Sequence, residues 1–471
     1  MADTKVLSDI SDDSPSFSFR LSSPVVPAGD NARLLYGLVE INGGQRAEAL
    51  PSNLGFLIDT SESMRIRLVT EKQFAELVKN GLAKEVMTDG VPAYQITAAP
   101  NEWMAQLPRR IDYVSDALKI AAEMLRDNDY FSLVAFASQA QVLSQQSSGK
   151  ERARLRQAAR ELETLKLGDE THMAEGLAMA FAETQRLPGK GLSSRLIVLT
   201  DGHTRKVNEC YEWAKQAQKA GIKLTTMGIG NEFNEDLLIP LADLTGGNAY
   251  FIESPDKLCP AFEQELGLAL RIRYRNMEVK LQLTEGVKLR RVYRVLPELG
   301  DFDQGPEMEN GYSLFLGDYD PDVPVALLLE LVLQPGLPGN YRLAQTMLAW
   351  DDPESESHRQ RLRKDVMIER SDSMPTRLDE HVMNMVEKVG AYKMGNTALE
   401  AAQNAVQGKD PKDKGAATVQ LRQAATRLLD LGEANLAGAM FSQADLLERS
   451  GNLDPEAAKK LRYETRRLTQ R

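Results

Sequence analysis

Hydrophobic positions in the middle of the chain alternate between two spacings. Short apolar runs, of the kind found in parallel strands that are buried on both faces, occur at 54–60, 130–138, 194–202, 222–230 and 248–252. Segments with helical spacing of apolar residues lie between and after them, at 110–125, 151–165, 172–186, 208–221, 234–244 and 256–272. Repeated strand–helix units with short connections predict a doubly wound α/β domain with a mostly parallel sheet.

The segments on either side of this region show a different pattern. Met277, Val279 and Leu281 alternate with polar residues, which is typical of strands with one buried face. Similar runs punctuated by Pro and Gly-Asp occur before residue 50. We therefore predict one β-sandwich, built from residues 1–50 and 273–370, into which an α/β domain spanning residues 51–272 is inserted.

The pattern becomes helical after the Ser- and Asp-containing segment 371–375, so residues 376–471 are predicted to form a helical bundle. Asp454-Pro455 is a helix start, and Gly432 and Gly451 are placed at helix ends. Two consecutive helices carry apolar stripes that need burial, either on the sandwich or in a homo-oligomer. The stripes contain Leu421, Leu428, Leu429, Leu436, Met440 and Leu446. We expect a chain ending near Pro375 to stay soluble, because the linker marks a domain boundary.

Composition and charge narrow the class of partner. The 471 residues carry a formal net charge of −11, with a pI near 5.2, which argues against binding to nucleic acid or to an anionic membrane. No apolar run is long enough to cross a bilayer, and the first residues do not resemble a secretory signal. The two cysteines, Cys210 and Cys259, suit a reducing compartment. We expect a cytoplasmic protein whose partner is a protein or a small ligand.

Candidate chemistry lies at the ends of the predicted strands. Asp59, Ser61 and Ser63 follow the first apolar run, Asp201 follows another, and Thr171 lies in GDETHM. In doubly wound sheets, ligands bind beyond the carboxyl ends of the strands. Three hydroxyls and two carboxylates are hard oxygen donors that suit Mg²⁺, with Mn²⁺ or Ca²⁺ as alternatives.

The order Asp59-x-Ser61-x-Ser63, Thr171 and Asp201 resembles the metal-ion-dependent adhesion site of the von Willebrand factor A domain family. The resemblance covers roughly residues 51–272 and includes all five motif positions. It implies that Ser61, Ser63 and Thr171 ligate the ion directly or nearly so. Asp59 and Asp201 would act largely through water or as hydrogen-bond acceptors around the ion. The split sandwich is similar to the architecture of several bacterial members.

One departure from the family is an insert at residues 65–108. Thr70 and Gln73 form a capping box, and MTDGVPAYQI indicates a hairpin with an Asp-Gly turn. The insert is predicted to be a helix–hairpin subdomain beside the ion. It serves either as a structural lid or as a determinant of partner specificity, and Trp103 and Met104 either anchor a partner or pin the insert.

The sequence favours a binding module over an enzyme. Apart from Glu62, nothing near the motif is an obvious general base. Glu62 is expected to point to solvent, with folding over the ion as an internal ligand as the alternative, and His172 is expected to be a rim or capping residue. The ion would instead accept an Asp or Glu carboxylate from a protein partner. Two alternatives remain: a subunit that recruits an AAA+ ATPase or a phosphosignalling partner in a larger machine, and a Mg²⁺-dependent hydrolase.

Overall fold

Three structural parts make up the computed structural model of the chain. It describes residues 14–44, 48–67, 76–88, 91–96, 107–187, 191–202, 204–230, 233–302, 311–352, 359–372, 378–408 and 411–470. The parts are a six-stranded α/β domain, two five-stranded sheets that form a sandwich, and a set of terminal helices. This is the predicted fold class.

The α/β domain is built on a sheet in which four of the five strand pairs are parallel. The strand order is β11-β10-β9-β4-β7-β8, and only the pair formed by β7 and β8 is antiparallel. The strands are β4 (Ser52–Asp59), β7 (Tyr130–Phe136), β8 (Ala140–Ser148), β9 (Ser193–Thr200), β10 (Ile222–Ile229) and β11 (Ala249–Ile252). Every residue of β4 is buried, which explains its unbroken apolar run.

Helices cover both faces of this sheet. One face packs against α1 (Arg110–Met124), α2 (Arg152–Leu162) and α6 (Leu258–Ala269). The other face packs against α3 (Met173–Thr184), α4 (Val207–Lys219) and α5 (Glu235–Thr245). Side chains of β4 alternate between the two cores, with Phe56 in one and Leu57 in the other.

Strands from both sides of the α/β domain interleave in the sandwich. The first sheet has the order β1-β3-β16-β13-β14 and the second the order β15-β12-β17-β18-β2. The N-terminal strands are β1 (Ser16–Leu21), β2 (Val25–Pro27) and β3 (Arg33–Asn42). The later strands are β12 (Tyr274–Leu283), β13 (Val287–Leu296), β14 (Gly300–Phe302), β15 (Tyr312–Tyr319), β16 (Val325–Leu333), β17 (Gly339–Asp351) and β18 (Arg359–Ser371).

Four helices end the chain, and they pack onto the sandwich. They are α7 (Glu380–Gln407), α8 (Pro411–Asp430), α9 (Ala434–Ser450) and α10 (Pro455–Arg466). Their core is continuous with Leu38, Tyr293 and Leu328 on the outer face of the first sheet. The stripes of α8 and α9 are thus buried mainly among the terminal helices themselves, and α7 contacts β3 and β13 of the sandwich.

Two of the six residues predicted to form the buried apolar stripes of α8 and α9 are exposed. Leu429 and Leu446 are 48% and 38% exposed, whereas Leu421, Leu428, Leu436 and Met440 are buried as expected. The neighbouring small residues Ala424 and Ala425 fill the contact instead. Close packing of α8 against α9 thus favours alanine. A prediction based on large apolar residues does not detect alanine as a buried position.

The insert leaves the α/β domain and returns to it at a single point. Arg67 and Arg109 form an isolated antiparallel bridge, and Arg67 Nη1 donates to the carbonyl of Leu107 at 2.8 Å. Between them, β5 (Ala83–Thr88) and β6 (Val91–Ile96) pair antiparallel. The capping box at Thr70 and Gln73, the Asp-Gly turn at 89–90, and Trp103 with Met104 lie outside the described residues.

Candidate metal centre

The five candidate residues lie at the point where the chain changes direction across the sheet. From β4 the chain proceeds to β7 and β8 on one side, and it then returns to β9 on the other side of β4. The carboxyl ends of β4 and β9 therefore flank the crevice in which ligands of doubly wound folds bind. Asp59 ends β4, and Asp201 directly follows β9.

Asp59 is fixed by hydrogen bonds to both of its carboxylate oxygens. The backbone N–H of Ser61 donates to Oδ1 at 2.9 Å, and the hydroxyl of Thr200 donates to Oδ2 at 2.5 Å. The chain leaves β4 through Thr60, whose N–H and hydroxyl both donate to the carbonyl of Phe136. These bonds turn Ser61 and the short 3₁₀ segment Glu62–Arg65 over the strand ends.

The two serine hydroxyls connect the first loop to Asp201. Ser61 Oγ and Ser63 Oγ lie 3.1 Å apart, and Ser63 Oγ donates to Asp201 Oδ1 at 2.7 Å. The second oxygen of Asp201 accepts a hydrogen bond from Arg110 Nη1 at 2.5 Å. Asp59, Ser61 and Asp201 are buried, while Ser63 is half-buried.

Thr171 reaches the same place from the loop before α3. Its carbonyl accepts a hydrogen bond from Thr204 Oγ1 at 2.8 Å, which ties this loop to the segment after β9. A Cβ atom built on Gly202 would lie 3.3 Å from Thr171 Oγ1 and 3.9 Å from Ser63 Oγ. Gly202 thus leaves open the space that the two hydroxyls face.

Electrostatics at this point favour a bound cation. Burial, together with the nearby charge of Asp201, raises the pKa of Asp59 to about 6. Two buried carboxylates that face one another repel, and a cation between or beside them lowers that repulsion.

The donor atoms fit a hard divalent cation. The cluster offers hydroxyl and carboxylate oxygens, which suit Mg²⁺, and among the described residues no group of three or more His, Cys, Asp or Glu side chains competes for a softer metal. Asp59, Ser61, Ser63, Thr171 and Asp201 are the residues that would hold such an ion.

Sequence reasoning missed two residues of the cluster. Thr200 is the last residue of β9, and its hydroxyl is placed on Asp59 by the register of neighbouring strands, which a single sequence does not reveal. Arg110 lies beyond the insert, far from the motif along the chain. The available signal for Arg110 was its position at the start of an amphipathic helix, since helix starts in such folds point at the ligand crevice.

Residues at the rim behave as expected. Glu62 is exposed, and His172 is the residue immediately before α3, with its Nε2 3.0 Å from Glu170 Oε2. Neither side chain is hydrogen-bonded to the cluster in the part of the chain that the structure describes.

Two family models match the chain. The von Willebrand factor type A domain matches residues 106–264, and the Sll0103-like C-terminal alpha-helical domain matches residues 380–471. The first match begins where the insert ends, so it does not include the Asp59-x-Ser61-x-Ser63 loop. The second match coincides with the four terminal helices.

Curated relatives match part of the chain. Uncharacterized protein sll0103 of Synechocystis sp. is 27% identical over 254 residues, which are 52% of this chain and 58% of the relative. Uncharacterized protein YfbK of Escherichia coli is 24% identical over 179 residues, which are 37% of this chain and 31% of the relative. The matched part of the chain thus spans less than two thirds of each relative's length.

Solved structures resemble the chain over nearly its whole length. A von Willebrand factor type A protein from Catenulispora acidiphila matches with a TM-score of 0.74 and 16% identity, covering 96% of this chain and 97% of that one. The ArnB paralog VWA2 from Sulfolobus acidocaldarius matches with a TM-score of 0.56 and 15% identity, covering 97% and 99%. At these identities the likeness establishes the fold. No helix within the described ranges is long and apolar enough to span a membrane.

Proposed function

Because this chain contains a von Willebrand factor type A domain, we propose that it is a metal-dependent protein-interaction module that binds a carboxylate of its partner. Domains of this type generally mediate contacts between proteins. The proposal adds to this general role a Mg²⁺ ion at the candidate centre and an Asp or Glu side chain of the partner as its external ligand.

The observation that carries the proposal is the convergence of hydroxyl oxygens with only two carboxylates above one crevice. Ser61 Oγ, Ser63 Oγ and Asp201 Oδ1 are linked in a row, and Thr171 Oγ1 faces the same space over Gly202. A bound ion would act as a Lewis acid that attracts an anionic oxygen from outside. Neutral ligands leave most of its charge uncompensated, so a carboxylate is the fitting external ligand.

The chain's own residues hold this arrangement in place. The Ser61 N–H and the Thr200 hydroxyl orient Asp59, while Ser63 orients Asp201. The hydrogen-bonded side chains of this cluster supply hydroxyl and carboxylate oxygens, which fit a bound cation. These features support a role in binding.

A thermal-shift experiment with Mg²⁺ tests the proposed ion. A ligand that binds only the folded state at ten times its Kd stabilises that state by about 1.4 kcal/mol. We expect MgCl₂ to raise the Tm of the wild-type chain and to leave the Tm of Asp59→Ala unchanged.

The matched control is Asp129→Ala. Asp129 is also fully buried, but it accepts from the Ser52 N–H and pairs with Arg126, away from the centre. This variant should lose stability and still respond to Mg²⁺. A normal rise of the Tm of Asp59→Ala in Mg²⁺ would contradict the proposed metal site. A pull-down in Mg²⁺ compared with one in EDTA tests separately whether partner binding depends on the ion.

A further inference from the structure

A positively charged side chain lies inside the candidate centre. Arg110 Nη1 is 2.5 Å from Asp201 Oδ2, and the arginine side chain is only 16% exposed while that of Asp201 is fully buried. The guanidinium therefore donates to one carboxylate oxygen of Asp201, and the other oxygen accepts a hydrogen bond from the Ser63 hydroxyl. Arg110 is not one of the five motif positions.

The position of Arg110 is fixed from several sides. It is the first residue of α1, whose start is held by hydrogen bonds from the N–H and guanidinium of Arg109 to Asp112. Arg109 also donates to the carbonyl of Glu163 at 2.8 Å and forms the bridge to Arg67 that closes the insert. A Cβ atom on Gly230, just beyond β10, would lie 3.4 Å from Arg110 Nη2.

The positive charge of Arg110 affects how strongly the centre attracts a cation. Arg110 places a positive charge against Asp201, whose own charge acts on the neighbouring carboxyl of Asp59. A cation at the hydroxyls is attracted by the carboxylates and repelled by the guanidinium, and burial reduces the screening of both effects.

We propose that Arg110 is an internal counter-charge that weakens the centre's own affinity for Mg²⁺, so that firm retention of the ion depends on the negative charge of a partner carboxylate. This inference rests on the proposed function. It assigns to Arg110 the role of a positioning and tuning residue, because the guanidinium acts on the ion through Asp201 and through space.

A structural role alone predicts the opposite result. If Arg110 only satisfies the buried Asp201, its removal should disorder that carboxylate and weaken or leave unchanged the binding of Mg²⁺. If Arg110 opposes the ion, its removal should strengthen binding. The direction of the change therefore separates the two roles.

Isothermal titration of MgCl₂ into the full chain tests this, with the wild type compared with Arg110→Gln and Arg110→Lys. We expect Arg110→Gln to bind Mg²⁺ roughly tenfold more tightly or better, given the strength of a nearby buried charge. Arg110→Lys keeps the positive charge but places it on a differently shaped side chain. Its Mg²⁺ affinity should equal that of the wild type or lie between those of the wild type and Arg110→Gln. The control Arg154→Gln removes an arginine on α2 that is 62% exposed and paired with Glu151. Its Mg²⁺ affinity should match that of the wild type.

Each outcome decides the inference. Unchanged or weaker Mg²⁺ binding in Arg110→Gln, with binding intact in the wild type, overturns the role of Arg110 and leaves the proposed function standing. Absence of Mg²⁺ binding in every variant overturns both. If Arg110→Gln does not fold, the comparison of Arg110→Lys with the wild type supplies the test. Equal Mg²⁺ affinities and equal Tm responses to Mg²⁺ support the inference. A weaker response in Arg110→Lys contradicts it.

Discussion

Lys223 lies where the α/β domain meets the sandwich, and its ammonium donates to the backbone carbonyl of Asp318 at 2.7 Å. Burial lowers the pKa of Lys223 to about 8, and the charge of nearby Arg195 acts in the same direction. Burial also raises the pKa of Asp318. Two domains thus meet around a cation that is costly to keep charged.

The shifted lysine predicts a pH dependence of stability. Between pH 8 and the ordinary lysine pKa near 10.5, the unfolded chain binds a proton at this site that the folded chain does not. Unfolding then becomes less favourable as the pH rises, by up to about 1 kcal/mol per pH unit. We expect the Tm of the wild type to rise relative to that of Lys223→Met between pH 8 and 10, measured by calorimetry.

The comparison with Lys223→Met matters because other groups titrate in the same range. Burial raises the pKa of Cys210 to about 12, so ionisation of that thiol in the unfolded chain lowers stability at high pH in both proteins. A constant Tm difference between the two proteins across this range would contradict the assigned pKa of Lys223.

Single residues of the centre were predictable where the chemistry is local in sequence. Asp59 ends one strand and Ser61 and Ser63 follow it, and the hydrogen bonds that join these three residues to one another are local. Arg110 and Thr200 enter through tertiary contacts. A sequence pattern gives the residue types near a strand end, but it does not give the rotamer that brings a helix residue onto Asp201.

At the scale of elements, the terminal helix α10 joins all three parts of the molecule. Arg466 is 1% exposed, and its two Nη atoms each donate to one oxygen of Asp243 on α5 at 2.7 Å. Arg294 on β13 donates to the same carboxylate, and Arg466 Nε lies 3.6 Å from Glu298 Oε2. Although burial opposes it, the charge of Arg466 holds the pKa of Asp243 below its ordinary range.

Removing this arginine should loosen α10 from the rest of the molecule. Arg466→Met leaves Asp243 buried beside Arg294, which still pairs with the same carboxylate, and breaking a buried pair costs about 3 kcal/mol. Arg422→Met is the control, since Arg422 also pairs with two acids, Asp445 and Glu448, but is 47% exposed. Exposed pairs contribute about 1 kcal/mol or less. Calorimetry should therefore give a clearly larger fall in Tm for Arg466→Met, and equal shifts would show that α10 is held by apolar contacts alone.

Elements with strong periodicity were predicted, and one without it was missed. The helices of the α/β domain begin and end within a few residues of the predicted positions, because each buries an apolar face against the sheet. Strand β8 was missed because AQVLSQQSS is largely polar. It pairs antiparallel at the sheet edge, where few side chains are buried and the hydrophobic pattern is correspondingly weak.

At the scale of the whole molecule, the terminal helices share a hydrophobic core with the sandwich. Val382 and Tyr392 on α7 share a core with Leu38 and Leu328 of the sandwich, and Lys393 donates to the hydroxyl of Tyr293 at 2.7 Å. The expectation that a chain ending near Pro375 stays soluble remains a prediction, and this shared core argues against it. A polar linker in the sequence marks a change of element type, but it does not show whether the elements on either side share a core.

We now expect a chain ending at Pro375 to be less stable and to aggregate. Truncation would uncover the outer face of the first sheet, and each large apolar side chain returned to water costs about 1.5–3 kcal/mol. Light scattering and the Tm of the soluble fraction measure the effect. A protease site placed at 373–377 in the full chain is the control, because cut chains should remain associated on size exclusion. A monodisperse truncated chain with an unchanged Tm would show that the shared core contributes little.

The interleaved sandwich also sets an order of events during synthesis. Strand β3 pairs with β16, with Ile41 opposite Val325, and the whole α/β domain is made between them. At ribosomal speeds the nascent β3 waits on the order of tens of seconds for this neighbour. The α/β domain is contiguous and can close during that interval, whereas Leu38 and Val39 have no completed sheet to enter. Newly made chains therefore pass through a stage with an uncovered apolar strand, which is the kind of segment that chaperones bind.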